Sequence, residues 1–404
     1  MAFEHSFREI QSLLSLCDGR FSSSQELRLK SPFWILDLPS EEIARRLMKR
    51  TVCAKSIFEL WGHGKSVEEL HSSLKNYPVE KMAPYLQSNF TYKIIVHAFN
   101  KTLTQPEKIQ RIDFLPFKGR VDLNNPDHTF WFLEDHGIYL GNSTEQPISL
   151  YFGRWIANGQ RELIESYSVK KRHFIGNTSM HSGLAFIMAN HGKVKPNNIV
   201  FDPFVGTGGL LIASAHFGAY VCGTDIDYNI AKLVERIKSG EDLMKISEPT
   251  FASTVWRNTT LTYLFLMHQN PYGGRECNLT QSLQTLSDII FDLLKFAAKY
   301  LVLGGRLVYW LPVYKPEYTE EIIPQHPCLK LVSNCEQTLS NHTSRYLITM
   351  EKVKEFEEDD YNSHILDSQY LQYKCHDSFR EKYFCGVTKR IAKEKKDSQN
   401  LLPN

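Results

Sequence analysis

The spacing of apolar residues changes character partway along this chain, and the change divides it. In the first part, short β-rich runs alternate with brief helical patterns. Phe33 to Leu38 predicts a strand, and Pro39-Ser40-Glu41-Glu42 predicts a helix N-cap with acids in the first turn, ahead of Ile43, Ala44, Leu47 and Met48. Thr51 to Trp61 is strand-like, and Ser66-Val67-Glu68-Glu69 is a capping box that opens a helix through Leu70 and Leu74. Tyr92 to Ala98 predicts a further strand, and Thr104-Gln105-Pro106-Glu107 a second capping box with proline early in its helix. Turn residues Asn124 to Asp127 then separate Arg120 to Leu123 from the aromatic strand Thr129 to Leu133, and Pro147 to Gly153 reads as one more strand. This is an α+β layer, with a boundary expected between Trp155 and Lys170.

The second part predicts strands alternating with longer helices. Asn198 to Phe201, Gly208 to His216 and Tyr220 to Thr224 form a βαβ unit. Leu261 to Met267 is strand-like and Ser287 to Tyr300 helical; Gly304-Gly305 is expected to end that helix before a strand from Arg306 to Leu311. The pattern implies an α/β domain with a doubly wound, Rossmann-like sheet.

Composition narrows the choice. With 404 residues, 42% hydrophobic and 23% charged, the chain is long enough for two folded domains. A net charge of +2 demands no polyanionic partner, so any nucleic-acid surface must be local. The N-terminus carries Glu4, His5, Arg8 and Glu9 and lacks a secretory pattern, and the most apolar stretch, Tyr300 to Val313, is too short to span a bilayer. The eight cysteines form no C-x-x-C pair, so they read as reduced cytoplasmic thiols, with no metal site expected.

The strongest local signal is Asp202-Pro203-Phe204-Val205-Gly206-Thr207-Gly208-Gly209, set between a strand and a helix. Glycines there let backbone approach a ligand closely at a helix N-terminus. Asp225, at the end of the next strand, can accept hydrogen bonds from both hydroxyls of an adenosine ribose. Leu211 stands where a dinucleotide fingerprint needs its third glycine, which disfavours a nicotinamide dehydrogenase. Asp202 can instead meet the ammonium of a methionine moiety, so S-adenosylmethionine fits.

Asn270-Pro271-Tyr272-Gly273 follows the strand at Leu261 to Met267. Asn270 and Tyr272 could hold an exocyclic amine and stack a base, although N-P-Y-G is also ordinary turn chemistry. Lys170-Lys171-Arg172-His173 could bind phosphates, or be a solvated surface.

Together with Tyr151 to Trp155, Arg172 to Met180, Gly304 to Leu307 and Thr343-Ser344-Arg345, these motifs resemble the catalytic subunits of the THUMP-containing tRNA (guanosine-10 N2) methyltransferase family over nearly the whole chain. The resemblance implies a ferredoxin-like and THUMP tRNA-binding region at 1–155, a Rossmann-like S-adenosylmethionine-dependent methyltransferase domain at 156–375 and a charged tail at 376–404. It implies methyl transfer to N2 of guanosine 10 in tRNA, tRNA as substrate, and a small zinc-binding activator subunit as heterodimer partner. It places Asp202, Gly206, Gly208, Asp225 and Thr178 at the cofactor and Asn270, Pro271 and Tyr272 in the catalytic motif, and the basic run makes Lys170, Lys171 and Arg172 the RNA-binding candidates.

The chain departs from that family pattern in several places. The family motif Asp-Pro-Pro-Tyr reads Gln269-Asn270-Pro271-Tyr272 here, and the stretches from Asp227 to Leu261 and from Tyr272 to Leu293 are short. Glu248 is a loose candidate for the adenine amine, and His181 stands where relatives carry an acid. The rival expectation is therefore a tRNA-binding decoy or paralogue without catalysis.

Overall fold

The computed structural model describes residues 3–17, 31–137, 146–172, 179–224, 261–266 and 286–357. It forms two compact units, Leu13–Arg161 and a second made of Met1–Ser12 with Glu162–Asn404. The first helix, α1 (Phe3–Leu16), begins in the second unit.

The unit Leu13–Arg161 contains α2 (Glu41–Met48), β1 (Ser56–Gly64), α3 (Val67–Asn76), α4 (Val79–Met82), β2 (Thr91–Phe99), α5 (Gln105–Ile112), β3 (Arg120–Val121), β4 (His128–Asp135) and β5 (Ser149–Asn158). The strands form one sheet in the order β1-β5-β4-β2-β3. The helix starts follow their capping chemistry. Ser40 Oγ accepts the Ile43 N–H, and Ser66 Oγ accepts the Glu69 N–H. At α5 the Thr104 N–H donates to Glu107 Oε2 (2.7 Å), closing the expected capping box.

Strand alternation decides which face is core. In β4 and β5, Phe130, Phe132, Leu150 and Phe152 are buried and join Trp61 and Leu70 in one cluster, against which Leu74 and Ile112 pack. The strand expected at Phe33 to Leu38 does not form. Phe33 instead packs its ring against Tyr151 (5.2 Å) and Phe99 (6.2 Å). Its apolar residues serve side-chain packing rather than a ladder. The strand expected from Thr51 starts only at Ser56, because Thr51 Oγ1 accepts the Ala54 N–H in a turn.

The other unit continues with α6 (Glu162–Ser166), α7 (Ser182–His191), β6 (Ile199–Asp202), α8 (Gly209–His216), β7 (Tyr220–Gly223), β8 (Leu261–Leu266), α9 (Leu286–Tyr300), β9 (Leu301–Tyr314), β10 (Leu329–Thr338) and β11 (Thr343–Lys352). Its sheet order is β10-β11-β9-β8-β6-β7. β7, β6, β8 and β9 run parallel, and β11 and β10 add antiparallel strands at the far side. This is the Rossmann-like architecture. Arg306 through Val313 of β9 are buried without interruption, as expected for a strand covered on both faces.

Gly304-Gly305 does not separate helix from strand as expected. α9 ends at Tyr300, β9 begins at once, and the glycines lie inside it where Gly304 takes φ +76°. There the pairing with β8 slips from Leu261↔Leu301 to Tyr263↔Arg306. A left-handed residue absorbs that irregularity, and glycine supplies it without strain.

Candidate functional site at the carboxyl end of the parallel sheet

Chain order reverses at β6, which has β7 on one side and the later strand β8 on the other. Ligands of doubly wound sheets bind outside the carboxyl ends of the strands at such a reversal. Asp202 closes β6 there and is fully buried, its Oδ1 accepting the Phe204 N–H at 2.9 Å. That bond is an Asx turn, which starts the loop while the carboxylate stays in the interior.

The loop then turns on glycines. Gly206 (φ +51°) and Gly208 (φ +71°) occupy the left-handed region, and Gly208 serves as the N-cap of α8. The Gly208 N–H donates to Val205 O (2.8 Å), and the Ile212 N–H to Gly208 O (3.0 Å). A Cβ at Gly208 would meet only Val205 Cγ1 at 4.0 Å, so the space above it is open. Backbone amides and a helix N-terminus thus border a cradle that a side chain would narrow.

Two residues not singled out from sequence, Thr224 and Gly223, complete this geometry. The Thr224 N–H donates to Asp202 O (3.0 Å), and the Val205 N–H donates to Thr224 O (3.0 Å), fastening the loop to the end of β7. Gly223 makes the approach possible, since a Cβ there would collide with Asp202 O and Val205 Cγ2. Its signal was a small residue two places before an acid at a strand exit. Arg172, expected beside RNA, also supports the loop. Half-buried, it donates from Nη1 to Thr207 O (3.1 Å), and burial pushes its pKa down. The structure thus sets Arg172 against the Asp202–Gly209 loop, while Lys170 and Lys171 are exposed and Lys171 lies 3.8 Å from Glu165.

His181 is the N-cap of α7, its Nδ1 accepting the Gly183 N–H at 3.2 Å. Thr178, Asp225, Glu248, Asn270, Pro271 and Tyr272 lie outside the described residues, as does the 376–404 tail. Among the described residues no His, Cys, Asp and Glu cluster could hold a metal, and no helix is long and apolar enough to cross a membrane.

A buried acid at a parallel-strand exit, a left-handed glycine loop and an open helix N-terminus are features that an S-adenosylmethionine-dependent methyltransferase of Rossmann-like fold requires. Residues 2–161 match the Tmrp11 THUMP N-terminal domain, and 170–253 match the RMKL-like methyltransferase domain. The chain is 59% identical to tRNA (guanine(10)-N(2))-methyltransferase TRMT11 of Gallus gallus, covering 99% of this chain and 97% of that one. It is 59% identical to the Homo sapiens protein of that name with the same coverage, and 28% identical to the Saccharomyces cerevisiae tRNA (guanine(10)-N(2))-methyltransferase over 93% and 95% of the two chains. The chain belongs to the tRNA (guanine(10)-N(2))-methyltransferase family. The alignment with the Gallus gallus relative spans 447 positions against 404 residues here, so at least 43 positions of that relative have no counterpart in this chain.

Proposed function

We propose that this chain is the catalytic subunit of a tRNA methyltransferase acting on N2 of guanosine 10, with the cofactor held between Asp202 and Asp225 and with slow turnover. The carrying observation is the left-handed Gly206 and Gly208 loop beside buried Asp202, an arrangement that suits a ligand with one cationic end and one ribose. S-adenosylmethionine supplies an electrophilic methyl carbon. The chain's part is orientation. Asp202 faces the ammonium, Asp225 accepts the ribose hydroxyls, Thr178 neighbours the cofactor, and Asn270 with adjacent carbonyls accepts the hydrogens of the guanine amine so that its lone pair faces the methyl group. Tyr272 stacks the base, and Pro271 stiffens the turn. Lys170 and Lys171 meet tRNA phosphates.

Slow turnover follows from the motif. Gln269-Asn270-Pro271-Tyr272 lacks the acid and one proline of Asp-Pro-Pro-Tyr, and a misplacement of about 1 Å can lower a rate on the order of a hundredfold. A zinc-binding activator subunit docks on the methyltransferase unit, the complex works in the cytoplasm, and tRNA recognition belongs to the N-terminal region.

The missing positions favour a second reading, a tRNA-binding protein without catalysis. Methyl transfer from labelled cofactor to unmodified tRNA, with and without the activator, separates the two. Under the first reading Asp225→Ala weakens cofactor binding by about tenfold to a hundredfold, the loss of a charge-assisted hydrogen bond of roughly 1.5 to 3 kcal/mol. Equal calorimetric affinity of the two proteins removes Asp225 from the site.

A further inference from the structure

Met1–Ser12 belongs to the methyltransferase unit, although the whole of Leu13–Arg161 separates it in sequence from the remainder. A helix laid on a sheet ordinarily buries apolar residues at spacings of three and four. In α1 the positions at that spacing are His5, Glu9 and Ser12, which are 1%, 0% and 6% exposed, with Ile10 buried beside them. Each is tied to a different element. His5 Nε2 donates to Glu336 O of β10 at 3.0 Å, Glu9 Oε1 accepts from Asn190 Nδ2 of α7 at 2.7 Å, and Ser12 Oγ accepts from Arg306 Nη1 of β9 at 3.1 Å. β10 is an edge strand, so the His5 bond also covers part of an open edge. Buried polar pairs fix the register of a helix, but desolvation offsets much of their attraction, so they add less net stability than an apolar seam. Such a helix docks specifically and releases readily.

What α1 grips is one end of α7, a helix whose ten residues are all buried. The carboxyl end of α7, Asn190 and His191, lies in the same network. The Arg306 Nη1 that reaches Ser12 also donates to His191 O at 2.7 Å, while its Nε donates to Glu351 Oε2 at 2.9 Å. The amino end of α7 lies beside the Asp202–Gly209 loop. Its N-cap His181 follows Met180, and a Cβ on Gly209, the first residue of α8, would come within 3.6 Å of Met180 Cβ. α7 also packs along α8, where the Phe186 ring lies 5.6 Å from that of Phe217. Close-packed interiors switch between arrangements rather than deform continuously, so a change at one end of a buried helix is felt at the other.

We propose that α1 is a detachable strap on the methyltransferase unit, and that its docking at Asn190 and Arg306 favours, through α7, the loop arrangement that holds S-adenosylmethionine. The two states are α1 docked and α1 released. The cofactor binds the docked state more tightly, and by linkage bound cofactor holds α1 in place by the same factor. The proposal rests on the reading that the Gly206 and Gly208 loop is the cofactor's.

The test uses the full chain and two measurements, backbone hydrogen exchange over Phe3 to Ser12 and calorimetric affinity for S-adenosylmethionine. In wild type, saturating cofactor should slow exchange of α1 by about fivefold, the lower end of the usual range for coupled sites. Glu9→Ala removes an acceptor of Asn190 Nδ2 and should speed that exchange while weakening cofactor affinity by about fivefold. Glu9→Gln keeps an oxygen in place and should restore both. If Glu9→Ala does not fold, Ser12→Ala takes one acceptor from Arg306 and should move both readouts in the same direction by less. Exchange of α1 that is indifferent to the cofactor in wild type overturns the strap. So does a variant with loosened α1 and wild-type cofactor affinity, or one with weakened affinity and unchanged α1 exchange. A Gly208→Val chain that binds the cofactor like wild type shows that the loop is not the cofactor's, and overturns the underlying reading together with the strap.

Discussion

The two sheets use their faces in opposite ways. In the methyltransferase unit, Arg306 to Val313 of β9 are buried on both faces, so chemistry can sit only at strand ends, where Asp202 and Gly208 form the loop. In the N-terminal unit, β5 alternates between buried Leu150, Phe152 and Ile156 and the partly buried Tyr151 and Trp155, so its second face carries side chains that the main core does not enclose, Tyr151 being met there by Phe33. A site at a strand end depends on a few backbone angles, whereas the faces of the N-terminal sheet depend on side-chain packing. Substitutions should therefore separate the units.

The largest expected effect comes from the inner face of the N-terminal sheet. Phe130→Ala removes a fully buried ring that meets Trp61 at 5.1 Å and Phe117 at 4.6 Å, and should destabilise that unit by about 3 to 5 kcal/mol. Calorimetric scanning should show the N-terminal transition shifted down with S-adenosylmethionine binding retained. Simultaneous loss of cofactor binding would mean that the two units unfold as one and would break the comparison.

The next effect belongs to the methyltransferase unit. His191 is fully buried, and burial first, then His5 and Arg306, holds its pKa down at about 3; burial likewise lowers that of His5 to about 4. His5 donates from Nε2 to Glu336 O (3.0 Å), a bond that favours the charged ring, and Arg306 donates to the backbone O of His191 (2.7 Å), so it is burial that keeps both rings neutral. Both folded pKa values lie below the unfolded value near 6.5, so the unfolded chain binds more protons as pH falls. Stability is fully present above about pH 6.5 and declines below it by up to about 1.4 kcal/mol per pH unit for each ring. Melting midpoints measured from pH 7.5 to 5 should fall for wild type and fall less steeply for His5→Gln. Parallel slopes would remove His5 from the pH response.

The sequence disclosed much of this because its signals are local. Ser40, Ser66 and Thr104 marked helix starts through hydrogen bonds spanning three residues, and Asp202 to Gly209 marked a strand, turn and helix in eight consecutive positions. What remained hidden depends on distant partners. Phe33 to Leu38 has strand composition, yet Phe33 packs against Phe99 and Tyr151, and only the fold shows that no neighbouring strand receives it. Gly304-Gly305 resembles a helix stop but absorbs a slip in pairing with β8. Gly223 matters because of Asp202 O, twenty-one residues earlier in the chain. Arg172 sits in a run that reads as a basic surface, and only its burial distinguishes it from Lys170 and Lys171.

Arg172 provides the smallest effect and the sharpest comparison, because the two roles available to it move different constants. As a support of the cofactor loop it donates to Thr207 O at 3.1 Å, and a Cβ on Gly209 would come within 3.6 Å of its guanidinium. Arg172→Met removes the donor but leaves a stem of similar length. The loop retains the Val205 to Thr224 and Gly208 to Val205 bonds, so the loss should be only about 1 kcal/mol, or roughly fivefold in S-adenosylmethionine affinity, with the tRNA KM unchanged. Lys171→Met, on an exposed neighbour, should do the reverse, raising the tRNA KM and flattening its salt dependence while leaving cofactor affinity alone. Arg172→Lys should recover part of the cofactor affinity, since an ammonium can still reach one carbonyl although it lacks the planar fork. If Arg172→Met raises the tRNA KM and spares the cofactor, Arg172 is an RNA contact and its bond to Thr207 does nothing for the loop.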